Sequence, residues 1–246
     1  MLKNKNILIT GCTGGIGKAV LIECAKNGAD IWAHARTETP EFQKMVDDLS
    51  NSYNVSVSAV YFDLGKTDDL KENIKNILKT KKNIDGLVNC AALPYGGTFM
   101  MTPVSKIKDI FDINLFSQME ITQLILKAMF RQRSGSIVNV SSVAGLDLHA
   151  GNSAYGVSKA ALAAWTKTLA AECAQAGIRV NAVAPGITDT AMAAKMEKNA
   201  AEHMLASSAM KRMARPEEIA KTIVFLLSDE ASFINGQIIR IDGGNA

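Results

Sequence analysis

The chain has 246 residues, 48% of them hydrophobic and 21% charged, which allows a sizeable core and excludes disorder, a collagen-like repeat or a coiled coil. Lysine and arginine number 27 against 24 acidic residues, a net charge of +3 dispersed along the chain, so no basic arm for nucleic acid or an anionic membrane exists. Four cysteines (Cys12, Cys24, Cys90, Cys173) lack a C-x-x-C spacing and only His34, His149 and His203 are present, which excludes a disulfide framework and a Cys/His metal site. No apolar run reaches membrane-spanning length and the amino terminus lacks a signal-peptide pattern, so the expected compartment is the cytoplasm.

Ile7 to Thr10 reads as a buried strand, followed by a glycine-rich turn and a helix whose Ile16, Val20 and Cys24 recur at helical spacing until Asn27-Gly28 stops it. Asp30 to Ala35 predicts a second strand, Pro40 to Leu49 a helix, and Val55 to Phe62 a third strand. Leu70, Ile74, Ile77 and Leu78 form the apolar stripe of a helix that Thr67-Asp68-Asp69 can cap. Strands at Leu87 to Cys90, Ile137 to Val140, Arg179 to Ala184 and Gln237 to Ile241 alternate with helices at Ile107 to Met129, Ala154 to Ala176 and Glu217 to Leu227.

Seven apolar strands separated by helix-length connections imply parallel pairing with both sheet faces covered. The expected fold is α/β, a doubly wound Rossmann-type parallel seven-stranded sheet with helices on both faces. No linker or repeat divides the chain, so residues 1–246 read as one domain, with a helical flap inserted at about 188–209.

The first strand-to-helix turn is Thr10-Gly11-Cys12-Thr13-Gly14-Gly15-Ile16-Gly17. Glycine permits a tight turn and close backbone approach to a pyrophosphate, and the next helix presents unpaired N–H groups and its positive dipole end to that anion. Such turns are common; its place after the first buried strand makes this one informative. Tyr155 and Lys159 stand four apart, a spacing that brings their Cβ atoms to roughly 5–6 Å on one helix face. A fixed cation there favours the phenolate, which a group titrating near pH 10 needs for proton exchange at neutral pH. Alone, this is an ordinary surface pair, but Ser141-Ser142 stands thirteen residues earlier at a strand's carboxyl end, where open α/β sheets form their ligand crevice. A hydroxyl, a phenol and an ammonium beside a phosphate-binding turn outline a ketone-reduction site.

With these motifs in place, the chain resembles the short-chain dehydrogenase/reductase family from Thr10 to Gly244. The resemblance implies a catalytic tetrad of Asn114, Ser142, Tyr155 and Lys159. In it, Tyr155 is the general acid, Ser142 orients the carbonyl, Lys159 holds the nicotinamide ribose, and Asn114 keeps a water beside Lys159. It further implies cofactor contacts from Gly11, Thr13, Gly15, Ile16 and Gly17 in the turn, Asp63 and Leu64 on the adenine side, and Asn89 and Ala91 of Asn89-Cys90-Ala91-Ala92. Pro185, Gly186, Ile187 and Thr190 complete that set, together with Tyr155 and Lys159 themselves. Cys90 and Ala92 depart from the family's usual Asn and Gly.

Relatives that prefer NAD usually carry an aspartate where this chain has Ala35; here Arg36 instead offers a planar donor fork to a 2′-phosphate, with Thr37 beside it. NADP(H) is therefore expected in preference to NAD(H), although Gly14 replaces the basic turn residue of many such relatives and a solvated Arg36 is the rival reading. Apolar residues on the substrate-side loops (Leu93, Phe99, Met100, Leu146, Leu148, Met192, Met196) point to an uncharged carbonyl compound, and His149 lies near enough in sequence to meet it.

Within the family the whole-chain pattern, including Asp242-Gly243-Gly244, resembles the 3-oxoacyl-[acyl-carrier-protein] reductases, with Arg131 and Arg133 as half of a basic carrier-docking patch. The function expected is an NADPH-dependent ketoreductase acting on a carbonyl substrate, carried on an acyl carrier protein or free as a thioester. An NAD(P)-dependent alcohol or sugar dehydrogenase and a non-enzymatic nucleotide sensor or scaffold are the alternatives. The resemblance implies a homotetramer paired through the long helices, where Ala160, Ala161, Ala163 and Ala164 allow close approach.

Overall fold

The computed structural model describes residues 1–80, 83–196 and 198–244. Its strands are β1 (Asn6–Ile9), β2 (Asp30–Ala35), β3 (Val57–Tyr61), β4 (Gly86–Asn89), β5 (Gly135–Val140), β6 (Ile178–Pro185) and β7 (Ile238–Ile241). All pair in parallel in the order β3-β2-β1-β4-β5-β6-β7. The eight α-helices among the described residues are α1 (Gly15–Lys26), α2 (Pro40–Tyr53), α3 (Thr67–Thr80), α4 (Val104–Phe111), α5 (Ser117–Gln132), α6 (Tyr155–Cys173), α7 (Lys198–Ser207) and α8 (Pro216–Leu227).

The strands are apolar on both sides because both sides are covered. Ile7 and Ile9 of β1 and Val88 of β4 pack with Val20 and Cys24 of α1, Val46 of α2 and Ile223 of α8. Leu8 and Leu87, one residue out of phase, face Ile74 of α3, Ile125 of α5 and Leu169 of α6. Each such side chain, removed from water, stabilises the fold by roughly 1.5–3 kcal/mol.

Most boundaries shift by one or two residues from those expected. Helix α2 runs on to Tyr53 because Asn54 adopts a left-handed φ of 53° and stops it, a role open to Asn at little cost. The helix expected from Ile107 to Met129 is instead α4, a π turn over Asp112–Phe116, and α5. The extra residue in that turn carries Asn114 into the interior, where it is fully buried. In the flap expected at 188–209, a 3-10 turn (Ala193–Lys195) precedes α7; Glu197 lies outside the described residues, as do residues 245 and 246. Among the described residues no helix is long and apolar enough to cross a membrane.

Candidate active site

The sheet order reverses between β1 and β4, and this is where a doubly wound sheet opens a crevice beyond its carboxyl ends. Thr10 closes the floor: its hydroxyl accepts from the N–H groups of Cys90 and Ala91 at 3.0 and 3.1 Å and donates to Val88 O at 3.3 Å. Gly11 sits at φ +76°, and a Cβ there would stand 2.8 Å from Ala91 Cα, so only glycine lets the turn cross β4. Gly17 is equally constrained, since a Cβ would meet Gly11 O at 2.1 Å.

The first turn of α1 is built to receive an anion. Its N-cap is Gly14, with no side-chain cap and no acidic residue following, so the leading N–H groups of Gly15, Ile16 and Gly17 lack a side-chain partner. A Cβ on Gly14 would meet nothing within 4 Å, whereas one on Gly15 would stand 3.1 Å from Thr190 Cγ2, which places Thr190 over the turn. Thr13 is exposed at the turn and Ile16 half-buried. These features fit a dinucleotide pyrophosphate. Pro185, Gly186 and Ile187 carry the chain from β6 toward Thr190. Gly186 N–H donates to Ile241 O at 2.9 Å, and a Cβ there would press on Asp242 at 2.9 Å.

At the adenine side, Asp63 accepts from Gly65 N–H through one carboxylate oxygen at 2.9 Å, beside the buried Leu64. Arg36 and Thr37 leave the end of β2 exposed, and Arg36 has no hydrogen bond or ion pair among the described residues, so its guanidinium is available to a ligand. Asn89 closes β4. Its side chain is fully buried, with the amide donating to Thr122 at 3.1 Å and Asn139 at 2.9 Å, and Asn139 passes the chain on to Thr166 at 2.9 Å. Strand alternation turns this position toward α5 and α6, and Ala91, with its carbonyl held by Gln118 at 2.8 Å, is the part of the motif that lies against the glycine turn.

The catalytic side of the crevice comes from the end of β5 and the start of α6. Ser142 caps the 3-10 turn Val143–Gly145 by accepting from Ala144 N–H at 3.1 Å, and its hydroxyl lies near enough to the Tyr155 phenol to favour the phenolate. Two glycines make that reach possible. A Cβ on Gly145 would be 2.6 Å from Ala160 N, and one on Gly156 2.6 Å from Ala144 O, so turn and helix meet backbone to backbone. Lys159 is only 1% exposed; its ammonium donates to Val140 O at 2.7 Å and lies 5.9 Å from the Tyr155 ring centroid. Burial pushes the lysine down to about 8 and the phenol up from its ordinary value, while the nearby Ser142 hydroxyl pulls the phenol back.

The Asn114 side chain is held by the protein itself. Its oxygen accepts from Leu93 N–H at 2.7 Å and its amide donates to Leu93 O at 3.1 Å and to Ser158 Oγ at 3.0 Å; Ser158 in turn donates to Tyr155 O at 2.7 Å. A primary amide matches a peptide group donor for acceptor, which explains the double bond to Leu93. The residue thereby fixes the loop after β4 against the first turn of α6. Gly145, Gly156 and Ser158 are site residues that motif reading passed over. Only the glycines carried a signal, as small residues flanking Ser142 and Tyr155.

The loops above the crevice are tied together by Gly97 N–H donating to Gly151 O at 2.9 Å, and they present Phe99, Met100, Leu148, Met192 and Met196 to solvent. His149 is exposed on the same rim. Arg131 and Arg133 are not beside the site. They end α5 at the amino edge of the sheet, the edge opposite Ser142, and Arg133 donates to Gln175 O at 3.1 Å.

Comparison with known proteins agrees with this geometry. Residues 11–246 match the family described as Enoyl-(Acyl carrier protein) reductase. The 3-oxoacyl-[acyl-carrier-protein] reductase of Thermotoga maritima is 36% identical, covering 99% of this chain and 98% of its own. That of Aquifex aeolicus is 32% identical, over 99% and 98%. Among solved structures, a putative NAD(P) dependent gluconate 5-dehydrogenase from Beutenbergia cavernae, with NADP bound at low occupancy, superposes with a TM-score of 0.92 at 29% identity, over 98% of this chain and 96% of that one. Levodione reductase superposes equally well, TM-score 0.92 at 26% identity, over 99% and 98%. An open helix N-terminus for a pyrophosphate and a hydroxyl, phenol and ammonium gathered beside it make this a nicotinamide-dependent oxidoreductase, and the chain belongs to the short-chain dehydrogenase/reductase family.

Proposed function

We propose that the protein is an NADPH-dependent ketoreductase for an apolar 3-oxoacyl substrate carried as a thioester. The observation that carries this reading is the placement of Ser142, Tyr155 and Lys159 at the carboxyl edge of the sheet, beside the uncapped N-terminus of α1. The nicotinamide, when bound, supplies hydride to the carbonyl carbon. Tyr155 then gives its phenolic proton to the carbonyl oxygen, and the Ser142 hydroxyl, close to that phenol, holds the same oxygen in line. Lys159 stabilises the negative charge left on Tyr155 and keeps N–H groups beyond the one on Val140 O for the ribose hydroxyls. Asn114 acts through Ser158 and Leu93 as a positioning residue.

Arg36, exposed and without a partner among the described residues, supports NADPH over NADH, as does the NADP in the Beutenbergia structure. The names of the curated relatives and the apolar rim of Phe99, Met100, Leu148 and Met192 support an acyl substrate. The gluconate dehydrogenase names among the structural neighbours favour a second reading, oxidation of a polyol or sugar acid. The single sheet supports one dinucleotide-binding and catalytic domain, with 188–209 as a flap over the crevice. Exposed Phe116, Phe130 and Val157 on and beside the long helices support a homotetramer. Four free thiols fit a cytoplasmic location.

The test follows absorbance at 340 nm with NADPH and, separately, NADH against an acetoacetyl thioester, a cyclic diketone and several keto-sugars. NADPH consumption led by the thioester is expected. Turnover confined to a sugar or to NADH would overturn the acyl reading.

A further inference from the structure

His34 is a buried histidine on β2 with no part in the chemistry described above, yet both of its ring nitrogens and its carbonyl are engaged. Nε2 lies 2.9 Å from Phe62 O, an atom that can only accept, so Nε2 carries the proton. Nδ1 is then an acceptor, and it takes Gly11 N–H at 3.2 Å. The carbonyl of the same residue takes the next N–H of the glycine turn, that of Cys12, at 2.9 Å. The ring also packs against Phe62 with centroids 4.0 Å apart. Burial pushes the imidazole down to about 4 against the opposing pull of the Phe62 carbonyl, Asp63 and Asp69, so at neutral pH it holds the uncharged form this bonding requires.

Resting on the nicotinamide-cofactor reading, we propose that His34 is a positioning residue for the cofactor, a clamp that holds the glycine turn of β1 in register with the adenine-side end of β3. Its two partners belong to opposite ends of the dinucleotide cradle. Gly11 begins the turn that leads to the pyrophosphate N–H groups of α1, and Phe62 immediately precedes Asp63 and Leu64. Gly11 stands at φ +76°, a conformation with two neighbouring N–H groups pointing toward β2; left unpartnered in a buried setting they would favour a different turn. Holding both donors on one residue sets the turn before a ligand arrives, so less ordering accompanies binding.

The test is calorimetric titration of NADPH into the full-length wild type and the His34→Leu, His34→Asn and His34→Gln variants, with the melting temperature of each in the absence of cofactor. Asparagine sets an acceptor where Nδ1 stands, whereas glutamine sets a donor where Nε2 stands. Expected is NADPH binding weakened about tenfold in His34→Leu, the equivalent of one to two lost hydrogen bonds. His34→Asn should bind within about threefold of wild type and more tightly than His34→Gln, with kcat at saturating cofactor little changed. Wild-type affinity in His34→Leu, or equal losses in Asn and Gln, would overturn the clamp; if His34→Leu does not fold, the Asn and Gln comparison decides. A long-range proton–nitrogen spectrum of the wild type must also place the proton on Nε2, and Nδ1–H would overturn the proposal without any variant. A wild type that binds neither NADPH nor NADH would sink the cofactor reading instead, while the tautomer measurement still judges the geometry.

Discussion

Replacing Lys159 by methionine keeps the length of a buried side chain and removes its charge. The ammonium lies 5.9 Å from the Tyr155 ring centroid. At an effective dielectric constant of about 20, a unit charge at about 6 Å is worth roughly 2.8 kcal/mol to the phenolate, or about a hundredfold in rate. Lys159→Met should therefore lower kcat for carbonyl reduction by about that factor at pH 7, with NADPH still bound. The same variant reports on the cost of burying the charge. Burial takes Lys159 from 10.5 down to about 8 in the folded protein. A base whose folded pKa is depressed destabilises the fold below that value, and the penalty is relieved as pH rises from about 8 to 10.5. By linkage the relief is roughly 3 kcal/mol. Wild-type unfolding free energy, measured by urea titration at pH 7 and at pH 10, should rise relative to that of Lys159→Met by an amount of this order. A variant with more than a third of wild-type activity, or with a parallel pH dependence of stability, would refute the reasoning.

Arg36→Ala should raise the KM for NADPH about tenfold to a hundredfold, the range expected for one charge-assisted contact of about 1.5–3 kcal/mol, and leave NADH almost unaffected; equal effects on both would remove Arg36 from the 2′-phosphate. Gly145→Ala forces a methyl to within 2.6 Å of Ala160 N. Backbone must move, at about 1–3 kcal/mol in thermal denaturation, and the shift between Ser142 and Tyr155 should lower kcat by about a hundredfold with cofactor affinity retained. An unaltered kcat would show that the turn does not position Ser142. Asn114→Ala leaves the Leu93 N–H and the Leu93 carbonyl unpartnered and takes one donor from the Ser158 hydroxyl, which keeps its bond to Tyr155 O; a loss of about 2–4 kcal/mol in denaturant unfolding is expected, and a loss below 1 kcal/mol would contradict the positioning role.

The strands and most helices were legible because buried parallel strands write continuous apolar runs, as in Ile7 to Ile9, and their helices write a stripe, as in Leu70, Ile74 and Ile77. The glycine turn and the Tyr155–Lys159 spacing were legible for the same reason: local backbone geometry fixes them. What escaped depends on partners distant in sequence. The π turn at Asp112–Phe116 leaves no mark on apolar periodicity and follows from a buried amide that finds Leu93. The direction of the Asn89 side chain is set by the phase of β4, which turns it to Thr122 and Asn139. Arg131 and Arg133 stood as half of a docking patch by family resemblance, and only the path of α5 places them at the far edge of the sheet.

Tyr155→Phe tests the central claim most directly, since it removes one oxygen from a site whose packing is otherwise unchanged. The variant should bind NADPH with wild-type affinity by calorimetry and consume it with the carbonyl substrate at less than a thousandth of the wild-type rate, the upper range for loss of a positioned general acid being about 10⁴-fold. Turnover within tenfold of wild type would show that another group protonates the carbonyl oxygen and would contradict the assignment of Ser142, Tyr155 and Lys159 as the reducing site.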